Sequence, residues 1–467
     1  MESIYHNSKD FKKKKNHIFS CESDFSYFNI SPLILAKLNY LGYKKPTRIQ
    51  QKCLPYALMG RDLMVSSETG SGKTLCFIIP IINNLLSKNW SKIDTTGSYV
   101  ICPMRELAIQ IFTIFKNLCP SKLLSVGLSI GGLSQRTKTD NYSIIIGTIG
   151  KLCEQIIISK NLNLDNLKIL SVDEIDQILD LGFKRSFLQI LKILPKKKQT
   201  LLFSATLSRK IKFIARLNLI FPLFLFHKKK NNKEIKENPT DVYSIPKNIF
   251  QYYCIVDFDQ KTNFLYSFLI SHSKKKTIVL FSNNKQVSFF YRVFRRLNLH
   301  LQMYYIYGNL KQIKRTLNYI SFNETTAGVL FATDLISRGL DLKQIDWVIQ
   351  FDCPPNIKTY VHRIGRTGRL SESGRALLML TKTELFFLKE LNRLQINILM
   401  VNLRKKQLVN INTKVFNLVH TDPNLYLRAQ KAYIYYTRYI FCIQYTNNSN
   451  FSKIDWKKIG TNFGIKK

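Results

Sequence analysis

Short, uniformly apolar runs recur along the chain, separated by longer stretches in which apolar positions repeat at helical spacing. From about Phe25 to Phe226 the runs are Leu63-Met64-Val65, Tyr99-Val100-Ile101, Ile144-Ile145-Ile146, Ile169-Leu170-Ser171-Val172 and Leu201-Leu202-Phe203. Near-continuous apolar segments of this length are what strands buried on both faces require. Leu75 to Leu86 and Phe187 to Leu194 read as helices. Strand and helix in alternation predict a doubly wound α/β unit.

His227 to Asn248 breaks the pattern. Lys228-Lys229-Lys230, Asn231-Asn232, Pro239 and Pro246 carry little periodicity, as in a linker. The alternation then restarts with Thr277-Ile278-Val279-Leu280-Phe281, Gly328-Val329-Leu330-Phe331 and Trp347-Val348-Ile349-Gln350-Phe351, a second sheet ending near Leu399. Met400 to Lys467 is polar and aromatic, with one helical stretch from Leu425 to Cys442. The expected organisation is a basic flexible tail over 1–24, an α/β domain over 25–226, a linker over 227–248, a second α/β domain over 249–399 and a mostly helical extension over 400–467. A chain of 467 residues is long enough for two cores.

Composition adds a partner class. Seventy-one Lys+Arg stand against 30 Asp+Glu, a formal charge of +41, which favours a polyanion such as nucleic acid. The abundance of Lys, Asn, Ile, Phe and Tyr together also fits an A+T-rich coding sequence, so charge supports that reading without carrying it. Nine cysteines are scattered from Cys21 to Cys442 with no Cys-x-x-Cys pair, which points away from a zinc site or a disulfide framework and toward a reducing compartment. No apolar run reaches the roughly 18 residues of a membrane span, so a soluble intracellular protein is expected. Lys12 to Lys15 fits a nuclear-import signal, an RNA contact or a solvated tail.

Three motifs carry chemistry. Thr69-Gly70-Ser71-Gly72-Lys73-Thr74 lies between a strand and a helix, the context of a phosphate-binding loop: glycines turn backbone N–H groups toward phosphate, Lys73 reaches the outer phosphates and the Thr74 hydroxyl ligates Mg²⁺. Ser67 stands where the general pattern has its first glycine. The strand Leu170-Ser171-Val172 runs into Asp173-Glu174-Ile175-Asp176, where one carboxylate can hold Mg²⁺ and the next can orient or deprotonate water. His362-Arg363-Ile364-Gly365-Arg366-Thr367-Gly368-Arg369 clusters three arginines; on one helical turn Arg366 and Arg369 would point the same way, as fingers on a transferring phosphoryl group. Fingers there require ATP between the two α/β units and hydrolysis coupled to closure; otherwise the cluster is a surface basic patch.

With these residues, the chain resembles the DEAD-box RNA helicase family of superfamily 2 over Phe25 to Leu380. Gly42-Tyr43-Lys44-Lys45-Pro46-Thr47-Arg48-Ile49-Gln50 looks like the family's Q motif. The resemblance implies two tandem RecA-like parallel-sheet domains, Gln50 on the adenine edge, Phe25 stacked on the base, Asp173 and Glu174 in the metal and water roles, and Gly339 and Asp341 near the nucleotide. It implies that Asp176 and His362 couple the ATP site to Ser204-Ala205-Thr206. The elements implied to face RNA are Pro103-Met104-Arg105-Glu106-Leu107-Ala108, Gly131-Gly132, Thr148-Ile149-Gly150-Lys151, Phe281-Ser282, Gln312-Ile313-Lys314-Arg315 and Ala332-Thr333-Asp334, with contacts largely independent of base sequence.

Four positions depart from the family pattern. Ile175 replaces Ala, Met104 replaces Thr, Ile149 replaces Pro and Lys151 replaces Arg; the last three fall on the implied RNA face. A finer resemblance, carried by Val329 to Asp334, Ile345 to Pro354 and the tail segments Asp422 to Leu425 and Gln430 to Tyr433, is to the nucleolar DEAD-box subfamily of small-subunit ribosome assembly, with large-subunit helicases bearing similar tails. Together these resemblances imply an ATP- and Mg²⁺-dependent helicase on precursor rRNA, monomeric, without a membrane partner, working beside pre-ribosomal proteins in the nucleus or nucleolus. The alternatives are an ATP-gated RNA clamp and a non-catalytic RNA-binding scaffold.

Overall fold

The computed structural model describes residues 24–67, 70–91, 93–132, 142–158, 164–204, 209–226, 245, 248–337, 342–368, 373–402, 408–446 and 454–466. Most of 227–248 and the whole of Lys12 to Lys15 lie outside them. Two compact units share the chain, Met1–Asp241 and Val242–Lys467.

The first unit holds strands β1 (Leu63–Ser66), β2 (Ser98–Cys102), β3 (Val126–Ser129), β4 (Ile144–Thr148), β5 (Ile169–Val172), β6 (Gln199–Ser204) and β7 (Leu223–Phe226). They form one sheet in the order β3-β4-β2-β5-β6-β1-β7, and every pairing is parallel. The helices are α1 (Pro32–Tyr40), α2 (Arg48–Leu58), α3 (Lys73–Ser87), α4 (Arg105–Leu118), α5 (Ile149–Ile158), α6 (Ile175–Asp180), α7 (Lys184–Ile193) and α8 (Arg209–Asn218). Each strand predicted from an apolar run is present. Two further strands, β3 and β7, lie at the two edges of the sheet; β7 is itself an apolar run, Leu223-Phe224-Leu225-Phe226, whereas β3 is not.

The second unit repeats the plan. Strands β8 (Ile249–Ile255), β9 (Lys276–Phe281), β10 (Met303–Ile306), β11 (Gly328–Thr333), β12 (Trp347–Gln350), β13 (Gly374–Leu380) and β14 (Leu399–Met400) are ordered β10-β11-β9-β12-β13-β8-β14, again all parallel. Counted within each unit, the two strand orders are the same. The helices are α9 (Lys261–Ser271), α10 (Asn284–Arg296), α11 (Gln312–Glu324), α12 (Ile357–Ile364), α13 (Phe386–Arg393), α14 (Asn412–Thr421), α15 (Pro423–Thr446) and α16 (Trp456–Asn462). Stacked and tilted aromatic rings fill this core: Phe281 lies with its centroid 5.0 Å from Phe290, 5.9 Å from Phe331 and 4.9 Å from Phe351.

The tail is part of that core. Ile411, Val415 and Val419 of the α14 region, Leu425, Ala429, Ala432, Tyr436 and Ile440 of α15, and Ile459 and Phe463 at α16 are buried with the strand residues Val279 and Phe281. Side-chain amides tie the same surfaces: Ile411 N donates to Asn263 Oδ1 at 2.9 Å, and Thr262 N donates to Asn462 Oδ1 at 3.0 Å. Burial of a Leu or Ile side chain stabilises by about 1.5–3 kcal/mol, so Leu425 and Ile440 together with the Tyr436 ring outweigh any one polar contact there. No described helix is long and apolar enough to cross a membrane.

Candidate functional site

In a parallel sheet every strand leaves by the same edge, and ligands gather at that carboxyl edge. In the first unit β5, β6 and β1 are neighbours, and their exits bring together Asp173, Ser204 and the loop that starts at Ser67. Ser67 N donates to Ser204 O at 3.2 Å, and Asp173 N to Ile101 O at 3.0 Å, so the exits are held in register beyond the strands.

The loop geometry follows from its glycines. Gly70 has φ +78° and Gly72 φ +89°, left-handed conformations that β-carbons disfavour. At Gly72 there is also no room: a β-carbon would lie 2.7 Å from Gln50 Nε2. Gln50 holds the loop from behind, its Nε2 donating to Gly72 O at 2.9 Å while its Oε1 accepts from Thr47 N at 2.8 Å. That second bond closes a capping box at the start of α2. Ser67, the departure from the glycine pattern, bridges the neck of the loop by a 2.7 Å hydroxyl contact with Ser71. Lys73 opens α3 and is buried; its Nζ donates to Ser67 O at 2.7 Å and to Ser204 O at 3.5 Å, lying across the loop that phosphates would fill. Thr74 follows in the first turn of α3, half-buried. Thr69 and Thr206 lie outside the described residues.

The acids stand opposite. Asp173, Glu174 and Asp176 are all buried. Glu174 occupies the left-handed region at φ 49°, ψ 50°, an uncommon state for a residue with a side chain, and it turns the chain from strand into α6. Glu174 N donates to Asp173 Oδ1 at 2.9 Å. Burial pushes the Asp173 carboxyl up to about 6, against the pull of the Lys73 ammonium. A carboxylate so poorly solvated beside the lysine of a glycine loop, with a threonine next in the chain, is a donor set that fits a hard divalent cation bound with phosphate. Phe25 is buried in a short turn, Phe25–Tyr27.

The RNA-facing candidates of this unit leave β2, β3 and β4, the other contiguous half of the same edge. Pro103 is buried; Arg105 begins α4 with its guanidinium beside Gly131, where a β-carbon would lie 3.0 Å from Nη2. Gly132 has φ +83°, Thr148 ends β4, Gly150 is exposed, and Lys151 pairs with Glu154 at 3.0 Å. Ile149 does not face outward: with Ile175 it is fully buried in one apolar cluster, so both departures are packing changes beneath the edge. Met104 is also buried.

In the second unit the RNA-facing candidates gather at three neighbouring strands, β10, β11 and β9. Phe281, Thr333, and Gln312 and Arg315 of α11 follow β9, β11 and β10. The Phe281 side chain is in the core, which leaves its backbone and Ser282 at the edge. Gln312, Arg315 and Thr333 are buried, and Arg315 Nη1 donates to Gly308 O at 3.5 Å. Asp334, placed with the RNA-facing residues by sequence, is otherwise engaged. It receives Arg363 in a two-pronged pair, Nε to Oδ1 and Nη2 to Oδ2 at 2.9 Å, while Arg363 Nη1 donates to Asp352 O at 2.9 Å. Arg363 is thus a buried structural brace under α12, a role that no spacing in the sequence signals.

Arg366 is fully buried and its Nε donates to His362 O at 3.4 Å. Arg366 is not on a helix as expected: α12 ends at Ile364 with Gly365 as its cap, and Arg366 lies in the turn before Gly368, φ +66°. His362 is buried on α12. Arg369, Gly339 and Asp341 lie outside the described residues.

Comparison with known proteins fits this layout. Residues 47–214 match the model described as DEAD/DEAH box helicase, and residues 260–371 match the helicase conserved C-terminal domain. The chain belongs to the DEAD-box helicases. It is 40% identical over 398 residues to "ATP-dependent RNA helicase dbp4" of Schizosaccharomyces pombe, across 85% of this chain and 53% of that protein. It is 35% identical over 444 residues to "Probable ATP-dependent RNA helicase DDX10" of Homo sapiens, across 94% of this chain and 50% of that protein. This DEAD-box chain therefore spans about half the length of the curated relatives it matches. Among solved structures, Mss116p bound to ssRNA and AMP-PNP superposes with a TM-score of 0.82 over 96% of this chain and 92% of that one, at 22% identity. S. cerevisiae Dbp5 bound to RNA and ADP BeF3 gives 0.71 over 81% and 95%, at 23% identity. These likenesses establish the fold, two RecA-like domains.

Proposed function

We propose that this chain is an ATP-dependent RNA helicase that locally unwinds or remodels RNA. The observation that carries this reading is the partition of the first sheet's carboxyl edge. There the exits of β5, β6 and β1 hold the phosphate and metal candidates, and those of the contiguous β3, β4 and β2 hold the RNA candidates. The relatives' names as ATP-dependent RNA helicases support it.

In this mechanism the N–H groups of the Gly70 to Lys73 turn and the Lys73 ammonium receive the phosphates of ATP, while Gln50 and Phe25 hold the base. Thr74 and Asp173 would hold Mg²⁺, which when bound would supply positive charge beside the phosphate oxygens. Glu174 orients the attacking water and takes its proton; Arg366 and Arg369 stabilise charge on the γ-phosphoryl group. Asp176, His362, Ser204 and Thr206 link that chemistry to RNA. Pro103, Arg105, Gly132, Thr148, Gly150, Lys151, Phe281, Gln312, Arg315 and Thr333 hold the sugar-phosphate backbone of single-stranded RNA or a short duplex. ATP binding is then the signal to hold RNA, and product release the signal to let it go.

The tail segments Asp422 to Leu425 and Gln430 to Tyr433 support a finer assignment to precursor rRNA in small-subunit ribosome assembly, as a monomer among pre-ribosomal proteins in the nucleolus. Displacement of a short labelled RNA duplex tests the activity. The wild-type protein should release the strand only with ATP and Mg²⁺, and the Glu174→Gln protein should bind but not turn over. Release at equal rate from an all-DNA duplex, or by the Glu174→Gln protein, contradicts the reading. Crosslinking in cells should recover small-subunit precursor rRNA; recovery of scattered mRNA defeats the finer assignment.

A further inference from the structure

The long tail helix α15 has two faces, and only one is used by the core. Leu425, Ala429, Ala432, Tyr436 and Ile440 are buried. Arg428, Lys431, Tyr435 and Arg438 recur at helical spacing on a different stripe, and Lys431, Tyr435 and Arg438 are exposed. A core explains the first stripe and leaves the second unexplained.

The second stripe is built against α10. Arg428 Nη1 donates to Ser288 Oγ at 3.2 Å, and Lys285 Nζ lies 5.9 Å from the centre of the Tyr435 ring. Arg438 stands 5.7 Å from the same ring. Lys285, Ser288, Asn424, Leu427, Arg428 and Lys431 line a pocket of about 190 Å³. Three of the six are cations and none is a carboxylate. Neither α10 nor α15 contains an Asp or Glu. The nearby acid, Asp422, is paired with Arg296 at 2.5 Å, toward the other end of α10.

The direction of the stripe matters. Arg296 meets Asp422, Ser288 meets Arg428 and Lys285 meets Tyr435, so α10 and α15 run antiparallel. The stripe therefore climbs toward the start of α10, which Asn283 caps by accepting from Lys285 N and Gln286 N. That start lies just past Ser282, at the carboxyl edge of β9, on the RNA half of the sheet. At the same edge Tyr439 Oη donates to Cys353 O at 2.6 Å, fixing the upper part of α15 to the exit of β12.

We propose that Lys285, Arg428, Lys431, Tyr435 and Arg438 form a site for the backbone of single-stranded RNA, extending the strand held at the carboxyl edge of the second sheet. Cations that track phosphates beside an aromatic ring that accepts a base are what sequence-independent single-strand binding requires. The inference rests on the RNA reading above. An acidic protein would satisfy the cations but, unlike a nucleic-acid base, would not stack on the exposed Tyr435 ring.

The test is fluorescence anisotropy of the full chain with single-stranded RNA of increasing length over a range of salt, beside RNA-stimulated ATP hydrolysis. Affinity of the wild-type protein should continue to rise for strands longer than the edge itself covers. The triple variant Arg428→Gln, Lys431→Gln, Arg438→Gln should lose that gain, and its log–log salt slope should flatten by about 2, since each lost phosphate contact of a single strand is worth about 0.7. A double variant at the exposed Lys431 and Arg438 should flatten it by about 1.4 and retains the Arg428 tie to the fold. In both, hydrolysis at saturating short RNA should match wild type. Unchanged long-strand affinity and slope in both variants overturn the proposal, even if the variants lose an acidic protein partner. Failure of the wild-type chain to bind RNA at all overturns the underlying reading instead.

Discussion

Gly72, Gln50 and Lys73 show how closely single residues define the phosphate loop. A side chain at Gly72 would have to adopt φ +89° and displace the Gln50 amide. Gly72→Ala should therefore cost about 1–2 kcal/mol of stability in chemical denaturation and should raise the KM for ATP. Gln50→Ala removes the capping box and the tie to Gly72 O together, with an expected loss of about 1 kcal/mol and a weaker hold on the base. Lys73→Ala should leave the fold intact and lower hydrolysis about a hundredfold or more, because a single cation aimed at developing charge is worth that much. Motif residues of this kind were legible in the sequence because their chemistry demands particular types at fixed spacing. Ser67 was legible only as an exception; its bond to Ser71 required coordinates. Asp334 and Arg363 were read as an RNA contact and a finger-cluster member. Their pairing joins residues far apart in sequence, and nothing local announces it.

Arginines in one short segment separate at the scale of the element. Arg363 lies inside α12 and braces two strand exits, whereas Arg366 follows the helix. Arg363→Met should destabilise by about 1–3 kcal/mol, since it removes the charge-assisted bonds to Asp334 and to Asp352 O, and should show as a lower denaturation midpoint. Arg366→Lys should keep a near wild-type midpoint and lower kcat by about a thousandfold, the loss expected of a phosphoryl-stabilising arginine. If both variants fail in the same way, the distinction between brace and finger is wrong. Most of the interior strands were legible because parallel sheets covered on both faces leave continuous apolar runs. The edge strands β3, β10 and β14 were not, since short and half-covered strands carry little pattern; β7, β8 and β13 were also missed, although β7 and β13 carry apolar runs. Among the tail helices only α15 was anticipated; α14 and α16 each show only a few buried positions.

On the scale of the whole molecule, the same strand order occurs twice, and the tail completes the second core. Tyr436→Ala should cost about 3–5 kcal/mol and reduce solubility, as for an aromatic removed from a closed core. Loss of the tail should therefore read as unfolding of the second unit and not as loss of an appendage. The sequence made the repetition visible as two successive α/β patterns; that the tail belongs to the second core was invisible, because amphipathic helices do not name the surface they cover. The central claim is that ATP hydrolysis dependent on Lys73, Glu174 and Arg366 is driven by RNA. Steady-state ATP hydrolysis as a function of single-stranded RNA concentration measures it most directly. The wild-type rate should rise with RNA to saturation, and the Glu174→Gln and Arg366→Lys proteins should stay near baseline at every concentration. Hydrolysis independent of RNA, undetectable at saturating RNA, or normal in the Glu174→Gln protein would contradict the account.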